Sequence, residues 1–313
     1  MNILITGGLG FIGSYFAEKL SSEDNNIFIL DNLSGSSKSA TKFLKSKENI
    51  TIHECDVVNS EISNYFENID IVYHFAANSK ISEGVNNPQL DFDVTAVGTH
   101  RVLSAMNENN VKRLVFSSGS GVYGDQNEII LSEDFGPLLP VSFYGASKLC
   151  AEAYISSFCG MNGFKASIFR FANVVGLRQT HGVAFDFIHK LKTNNSKLDV
   201  LGNGFQSKSY IDVDDIFNAI QLVVETQKKS VDVFNIATED YINVRDIAQL
   251  VIKEMNLDKV QINYEDNEAG WIGDVPIVRF CSKKVRDLGW KNKYNSRESI
   301  MNAIKYILKD DNS

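Results

Sequence analysis

Apolar runs rich in β-branched residues alternate with amphipathic helical patterns along the first 170 residues of the chain. Runs of this kind predict strands at residues 2–6, 27–31, 50–54, 70–76, 113–117 and 165–170. Strands separated by helices pair in parallel, because each helix carries the chain back across a face of the sheet. The predicted fold is therefore α/β, a doubly wound parallel sheet covered by helices on both faces.

The pattern changes after Arg170. Shorter strand-like runs occur at residues 198–201, 209–211 and 261–264, and helical patterns occur at 185–192, 214–226, 244–255 and 296–308. We expect one domain at residues 1–172 and a smaller mixed α/β substrate domain at 173–313. The boundary is not sharp, because Val233 to Ile236 reads as a buried strand that returns to the first sheet, within 205–240.

Composition and charge exclude several function classes. The 313 residues carry a net charge of -8 and no basic tract, which argues against a nucleic-acid or anionic-membrane surface. The four cysteines form no CxxC pair and the five histidines no HExxH motif, so neither a disulfide framework nor a metal site is predicted. No signal sequence or membrane span is recognised, and we expect a cytoplasmic protein.

The turn after the first predicted strand reads TGGLGFIGS, with Gly7, Gly10 and Gly13 just before a helical pattern. A glycine loop at a helix N-terminus lets backbone N–H groups approach a pyrophosphate. Asp31 ends the second predicted strand, where a carboxylate accepts hydrogen bonds from ribose and repels a 2′-phosphate. These features predict NAD rather than NADP; a tight turn and a strand cap are the alternative interpretations.

The segment SFYGASKLCAE at residues 142–152 places Tyr144 and Lys148 four residues apart on one helix face. A buried ammonium near the phenol, together with an oxidised nicotinamide, would lower the pKa of Tyr144 towards neutrality. The tyrosine would then act as the general base for an alcohol whose carbon loses hydride. The alternative is a solvated helix face, since this spacing also occurs by chance.

Several motifs in this order resemble the extended short-chain dehydrogenase/reductases, in particular the NAD-dependent nucleotide-sugar epimerase/dehydratase family, which includes UDP-glucose 4-epimerase-like enzymes. The first group is TGGLGFIGS, DNLSG, HFAA, SSGSGVYG and YGASK. The second is RFANVVG, GNGFQSKSYIDVDD, FNIA, WIGDVP and LGW. The resemblance extends over nearly the whole chain, and the motifs are specific in combination.

This resemblance implies a Rossmann domain that holds NAD, a C-terminal domain that binds a nucleoside-diphosphate sugar, and a homodimer. The implied cofactor contacts are Gly7, Gly10, Phe11, Ile12 and Gly13 at the pyrophosphate, Asp31, Asn32 and Ser34 at the adenosine ribose, Asp56 and Val57 at the adenine, and Phe75, Ala76, Ala77, Ser117, Tyr144 and Lys148 towards the nicotinamide. The implied substrate contacts are Ser79, Asn173 and Val183, with the sugar C4 hydroxyl against Tyr144.

Four positions depart from the pattern of the family. Gly119 stands where the family commonly has Ser or Thr, and Thr95 stands where an asparagine is usual. Lys208 and Trp271 each stand where an arginine is often found. Since Gly119 has no hydroxyl, we expect glycine's conformational freedom to turn a neighbouring one into the site.

Candidates for the missing groups lie nearby in the sequence. The first choice for the hydroxyl is Ser118 and the second is Ser120. For the substrate anion, Lys208 provides a charge without bidentate geometry, and Arg178 and Arg279 are candidates to compensate. As surface charges, the two arginines would need no such role.

The reaction implied is oxidation at C4 of the nucleotide sugar. Hydride return to the opposite face makes an epimerase, and release of the 4-keto sugar makes a 4-dehydrogenase. A 4,6-dehydratase is disfavoured, because no acidic residue follows Gly119. A non-catalytic NAD-binding scaffold is a further alternative, which would have little reason to keep both Tyr144 and Lys148.

Overall fold

The computed structural model describes residues 1–79 and 81–310. Its strands are β1 (Asn2–Thr6), β2 (Asn26–Asp31), β3 (Ile50–Glu54), β4 (Ile71–His74), β5 (Arg113–Gly119), β6 (Ile130–Leu131), β7 (Lys165–Phe171), β8 (Asn173–Val175), β9 (Lys197–Val200), β10 (Ser207–Lys208), β11 (Tyr210–Asp212), β12 (Val231–Ile236), β13 (Ile242–Asn243), β14 (Gln261–Tyr264) and β15 (Arg279–Phe280). Its α-helices are α1 (Phe11–Ser21), α2 (Lys38–Lys45), α3 (Pro88–Asp91), α4 (Gly98–Glu108), α5 (Phe143–Asn162), α6 (Val183–Thr193), α7 (Val213–Thr226), α8 (Val244–Glu254), α9 (Lys283–Asp287) and α10 (Ser296–Asp310).

Seven strands form one parallel sheet in the order β12-β7-β5-β4-β1-β2-β3. The central strands are buried on both faces, as expected where helices cover a parallel sheet; Ile3, Leu4 and Ile5 of β1 have no exposed surface. Two hydrophobic clusters cover the two faces. The predicted α/β fold is confirmed.

The chain crosses from the sheet into a smaller region and back again. After β7 it forms the short pair β8 and β11, then returns through α7 to β12, which pairs in parallel along β7. A third hydrophobic cluster lies between α6, α8 and α10, beside the pair β9 and β14; it includes Ile188, Leu198, Ile247 and Ile304. The smaller region therefore has a core of its own while remaining joined to the sheet.

Residues 88–110 have an amphipathic helical pattern that predicts one long helix with Phe92, Val102, Leu103 and Met106 on its buried side. The structure instead contains a π-helical segment, Phe92–Val97, between α3 and α4. A π-helical turn inserts residues relative to an α-helix and rotates the face that follows. Val102, Leu103 and Met106 are buried as predicted, whereas Phe92 is 50% exposed. Placing Phe92 in the core was wrong, because a regular helical period was assumed.

No helix within residues 1–79 and 81–310 combines the length and the apolar character that crossing a membrane requires. The sheet reverses its strand order at β1, whose neighbours β2 and β4 continue in opposite directions. In open α/β sheets the carboxyl ends of the strands at such a point border the ligand crevice. The site is therefore expected beyond Thr6, Asp31 and His74.

Candidate active site

A cleft of about 940 Å³ lies at the carboxyl ends of the strands, and both regions of the chain line it. The glycine loop, Asp31 and the start of α5 form one side, and the start of α6 with the segment 270–275 forms the other. A cleft of this volume is large enough for an extended ligand. It brings the two groups of sequence motifs to one place.

The glycine loop fits a dinucleotide pyrophosphate. Gly7 has a φ of +66°, and a Cβ on it would lie 2.8 Å from the backbone nitrogen of Ala76. A Cβ on Gly13 would overlap the carbonyl oxygen of Gly7. A side chain at either position would fill the loop, so the backbone stays accessible at the start of α1, which favours an anion. Phe11 and Ile12 line the cleft at this point.

Asp31 is buried at the end of β2 and is fixed by the backbone. Its Oδ2 accepts a hydrogen bond from the Leu9 amide at 2.8 Å, and its Oδ1 accepts one from the Leu33 amide at 2.8 Å. Burial raises the pKa of this carboxyl, while the backbone donors, including Gly10, oppose the rise. The carboxylate is thus held in one orientation beside the cleft, as a ribose acceptor must be.

The adenine end of the predicted cofactor site is a short polar network. Asn32 donates to Asp56 at 3.2 Å, and Asn32 Oδ1 accepts from the Ser34 hydroxyl at 2.7 Å. Asp56 in turn accepts from the Val58 amide at 2.8 Å. The remaining predicted cofactor contacts also line the cleft, namely Val57, Phe75, Ala76, Ala77 and Ser117.

Tyr144 and Lys148 lie at the base of the cleft on the first turns of α5. This helix begins after Ser142, whose hydroxyl accepts a hydrogen bond from the Gly145 amide at 3.1 Å. Lys148 is 2% exposed, and its Nζ donates to the carbonyl oxygen of Ser117 at 2.7 Å. The same Nζ is 5.7 Å from the centre of the Tyr144 ring. The two side chains therefore meet at the β5–α5 contact.

The electrostatics of this pair differ from the sequence-based expectation. Burial raises the pKa of Tyr144 to about 12, and the Asp91 carboxylate adds to the rise. Burial lowers the pKa of Lys148 to about 7, opposed by Glu152 and Asp91. The predicted lowering of the Tyr144 pKa is not found in the protein alone, because burial of the phenol and the neighbouring Asp91 carboxylate both raise it.

The segment FSSGSG favours the second choice of hydroxyl over the first. Ser118 lines the cleft but is 3% exposed, and its hydroxyl donates to Glu152 Oε1 at 2.5 Å, so it is already engaged. Gly119 is extended (φ -161°, ψ 175°), a conformation open to any residue, so glycine's conformational freedom is not used. A Cβ on Gly119 would meet no atom within 4 Å. Ser120 borders the cleft, and its hydroxyl forms no hydrogen bond with another residue in the part of the chain described.

The predicted substrate contacts Ser79, Asn173, Val183 and Lys208 all line the cleft. Ser79 lies beside Gly35, next to the predicted adenosine contacts Asn32 and Ser34. Val183 is the first residue of α6, and Lys208 Nζ forms an ion pair with Asp274 Oδ1 at 2.6 Å, so the lysine charge is partly neutralised. The roles of these four residues stay predictions.

Two predicted substrate residues lie elsewhere. Arg178 donates to the Ser14 carbonyl at 3.1 Å and pairs with Glu18 at 2.8 Å, which ties it to α1. Arg279 pairs with Glu128 at 2.8 Å, and its guanidinium lies 4.1 Å from the centre of the Tyr241 ring. Neither arginine lines the cleft, so proposing them as anion contacts was wrong. Both satisfy local carboxylates instead.

Several lining residues were not predicted. His181 and Gln179 precede α6, and Asp274 lies beside Lys208. Burial lowers the pKa of His181. Trp271 was noted only as a replaced arginine, yet it also lines the cleft. No local pattern marks these residues, because the fold of the smaller region brings them to the cleft.

Comparison with known proteins identifies the family. Residues 3–237 match the model of the NAD dependent epimerase/dehydratase family. The chain belongs to this family. A protein of Methanocaldococcus jannaschii, provisionally named UDP-glucose 4-epimerase, is 31% identical over 97% of the chain and 98% of its own length. Human dTDP-D-glucose 4,6-dehydratase is 28% identical over 97% of the chain and 89% of its own length.

A solved structure agrees with this assignment. The UDP-glucose 4-epimerase of Thermus thermophilus in complex with NAD has a TM-score of 0.87 and 26% identity, covering 98% of this chain and 99% of that one. The predicted family is confirmed, and with it the prediction of an NAD-dependent enzyme. The loop at Gly7 and Gly13 and the carboxylate of Asp31 fit that cofactor.

The first testable outcome concerns Asp31. Asp31→Ala should weaken NAD binding by about 10- to 100-fold, since hydrogen bonds to a charged acceptor contribute roughly 1.5 to 3 kcal/mol. Calorimetric titration with NAD and NADP measures the change. Asp31→Asn is the second variant, because it keeps an acceptor for the backbone donors. Tighter binding of NADP than of NAD by the unmodified protein would contradict the assignment.

The second outcome concerns the hydroxyl beside Tyr144. Because Ser120 is the serine of this segment that remains available, Ser120→Ala should lower turnover about 10²-fold, the loss typical for one well-placed donor. Adding Gly119→Ser to that variant should raise turnover again by at least about tenfold, since position 119 has room for a side chain. Gly119→Ala is the matched control and should restore nothing. Full activity of Ser120→Ala would show that Ser120 does not supply this hydrogen bond to the substrate.

Proposed function

We propose that the protein is an NAD-dependent nucleotide-sugar 4-epimerase, with UDP-sugars as the first substrate class. One observation carries the proposal: Tyr144 and Lys148 lie at the base of a single cleft, between residues suited to NAD and residues suited to a nucleotide sugar. The epimerase names of the Methanocaldococcus jannaschii and Thermus thermophilus relatives support it.

In this proposal Tyr144 takes the proton of the C4 hydroxyl and later gives it back. NAD, when bound, supplies the acceptor and donor of the hydride. Because the pKa of Tyr144 is about 12 in the protein alone, the phenol is protonated near neutral pH and requires a nearby positive charge to become a base. Lys148 is the described cation nearest to its ring.

The diphosphate would lie between Asn173, Lys208 and the N-terminus of α6. Gly182 precedes that helix with a φ of +98°, and Val183 is its first residue. Backbone N–H groups and the helix dipole favour an anion at this end. Because Lys208 already pairs with Asp274, we expect the helix terminus to contribute more to phosphate binding than the lysine does.

The alternatives make different products. A 4-dehydrogenase would release a 4-keto sugar and keep NADH. A 4,6-dehydratase, the activity named for the human relative, would need acid–base groups near C5 and C6. The residues that follow Gly119 are Ser120 and Gly121, neither of which supplies a carboxylate. A non-catalytic scaffold is disfavoured by the buried pair Tyr144 and Lys148.

Product analysis tests the proposal. The purified protein is incubated with NAD and with UDP-, dTDP-, GDP- and CDP-sugars, and the products are examined by proton NMR and mass spectrometry. We expect a C4 epimer of unchanged mass, no accumulated NADH, and loss of turnover by about 10²- to 10⁴-fold in Tyr144→Phe with NAD still bound. A mass loss of two with bound NADH would assign the 4-dehydrogenase. Near-normal activity of Tyr144→Phe would refute the mechanism.

We propose in addition that the protein is a homodimer formed through α4 and α5. The outer face of α5 carries Tyr154, which is 46% exposed, and Met161, which is 85% exposed. The ring of His100 on α4 contacts Tyr154 and Phe158 edge-on, so both helices share this apolar face. Exposed apolar residues of this kind suit burial against a second copy of the chain.

We also propose that the protein is located in the cytoplasm, which cell fractionation tests.

Sedimentation velocity tests the dimer. The mass of the unmodified protein in solution should be twice the chain mass of 34.9 kDa. Met161→Glu should shift the equilibrium towards the monomer, because a charge would be buried in the interface. Ile272→Glu is the matched control, since Ile272 is exposed on the loop 270–275, which contacts the N-terminal end of α5, at the opposite end of the helix from Met161. A monomer in the unmodified protein, or equal dissociation by both variants, would contradict the proposed interface.

A further inference from the structure

A buried ion pair lies on the same face of α5 as Tyr144 and Lys148, one helix turn beyond Lys148. Arg170 on β7 donates from Nη2 to Glu152 Oε2 at 2.6 Å and from Nε to Glu152 Oε1 at 3.1 Å. The two side chains are only 5% and 7% exposed. A bidentate pair in this setting has a fixed geometry, and neither partner can lose the other without leaving a buried charge.

Further groups complete the network around this pair. Arg170 Nη1 donates to the Tyr123 hydroxyl at 3.0 Å, and that hydroxyl donates to Asn235 Oδ1 at 2.7 Å. At the far end, the side chain of Glu133 accepts a hydrogen bond from the backbone amide of Asn235 at 2.8 Å. The network thus joins β5, α5, β7 and β12, the elements that surround the base of the cleft.

The network reaches the active site through two successive residues of β5. Lys148 Nζ donates to the carbonyl oxygen of Ser117, and the hydroxyl of Ser118 donates to Glu152. Tyr144, Lys148 and Glu152 follow one another at intervals of four residues and so share one helix face. Lys148 and Glu152, on two adjacent turns of α5, therefore hold the end of β5 against that helix.

The charge of Lys148 depends on the carboxylates around it. Asp91 on α3 and Glu152 on α5 face it and favour the ammonium, and burial opposes them. His74 on β4 also faces it; burial and the Lys148 charge lower the pKa of His74 to about 3, so this imidazole is neutral. Tyr144 is protonated. Of the two carboxylates, Glu152 is the one held by a guanidinium and a serine hydroxyl.

We propose that Glu152 is a positioning residue for the reaction: fixed by Arg170 and Ser118, its carboxylate places a negative charge one helix turn from Lys148 and holds the end of β5 against α5. Glu152 acts through Lys148 and does not touch the substrate. The proposal rests on the proposed function for its effect on turnover, whereas its effect on Lys148 is measurable without substrate.

The direct test is a titration of Lys148 by NMR in protein labelled with 13Cε-lysine, the signal being assigned with Lys148→Met. Glu152→Gln should lower the pH at which Lys148 loses its proton by about one unit, the effect of removing a close opposite charge. The double variant Glu152→Gln/Arg170→Gln removes one negative and one positive charge, so it should shift the titration less than Glu152→Gln does; it also avoids leaving the Arg170 charge buried without a partner. Glu133→Gln is the matched control, because it removes a carboxylate at the far end of the network.

The pH dependence of turnover gives the second readout. If Lys148 must be charged, activity is lost as pH rises through its titration, so Glu152→Gln should move the alkaline limb to lower pH by about one unit. The acid limb should stay in place. The double variant should move the alkaline limb less, because it changes the charge near Lys148 less, and a merely structural role would not link the limb to that charge.

Each outcome decides the proposal. Unchanged Lys148 titration in Glu152→Gln, or an equal shift in Glu133→Gln, would overturn it. Failure of Glu152→Gln to fold, judged by circular dichroism, would assign the pair to stability alone and would also overturn it. A shifted Lys148 titration in a protein that turns over no nucleotide sugar would support this inference while rejecting the proposed function.

Discussion

The contact between the end of β5 and the first turns of α5 determines most of the site. Lys148 extends from the helix to the Ser117 carbonyl at 2.7 Å, and this bond places Tyr144 at the base of the cleft. A lysine that is 2% exposed is tolerated only where its ammonium has an acceptor and nearby carboxylates. The position of the reactive phenol therefore depends on the burial of a charge, together with the packing of apolar residues.

The same burial sets the protonation of the site. In the protein alone the pKa of Tyr144 is about 12 and that of Lys148 about 7, so the phenol is protonated and the ammonium is only partly retained at neutral pH. Small changes in the charges around Lys148 therefore change the fraction that is protonated. Burial at the β5–α5 contact makes this pair sensitive to its surroundings, which a solvated Tyr–Lys pair on a helix would not be.

The parts of the site that the sequence predicts are those set by neighbouring residues. Gly13 has to be glycine because the loop itself leaves no room, Gly7 has a positive φ that favours glycine, and Asp31 is fixed by the backbone of Leu9 and Leu33. The engagement of Ser118 could not be predicted, because its partner Glu152 lies 34 positions away in the chain.

Arg178 and Arg279 were misjudged for the same reason, since their carboxylate partners lie on other elements. Phe92 differs, because a π-helical turn rotates it out of the core. Tertiary contacts and helix irregularities leave no periodic signal in a single sequence.

The central claim is that C4 of a nucleotide sugar is oxidised and reduced within one cleft, with the hydride retained. The most direct measurement uses a UDP-sugar carrying deuterium at C4 and follows the label in the product by NMR and mass spectrometry. The account predicts that the C4 epimer keeps the deuterium at C4, in water as in deuterated buffer. Loss of the label to solvent, or a product with deuterium taken from the buffer at C4, would contradict it.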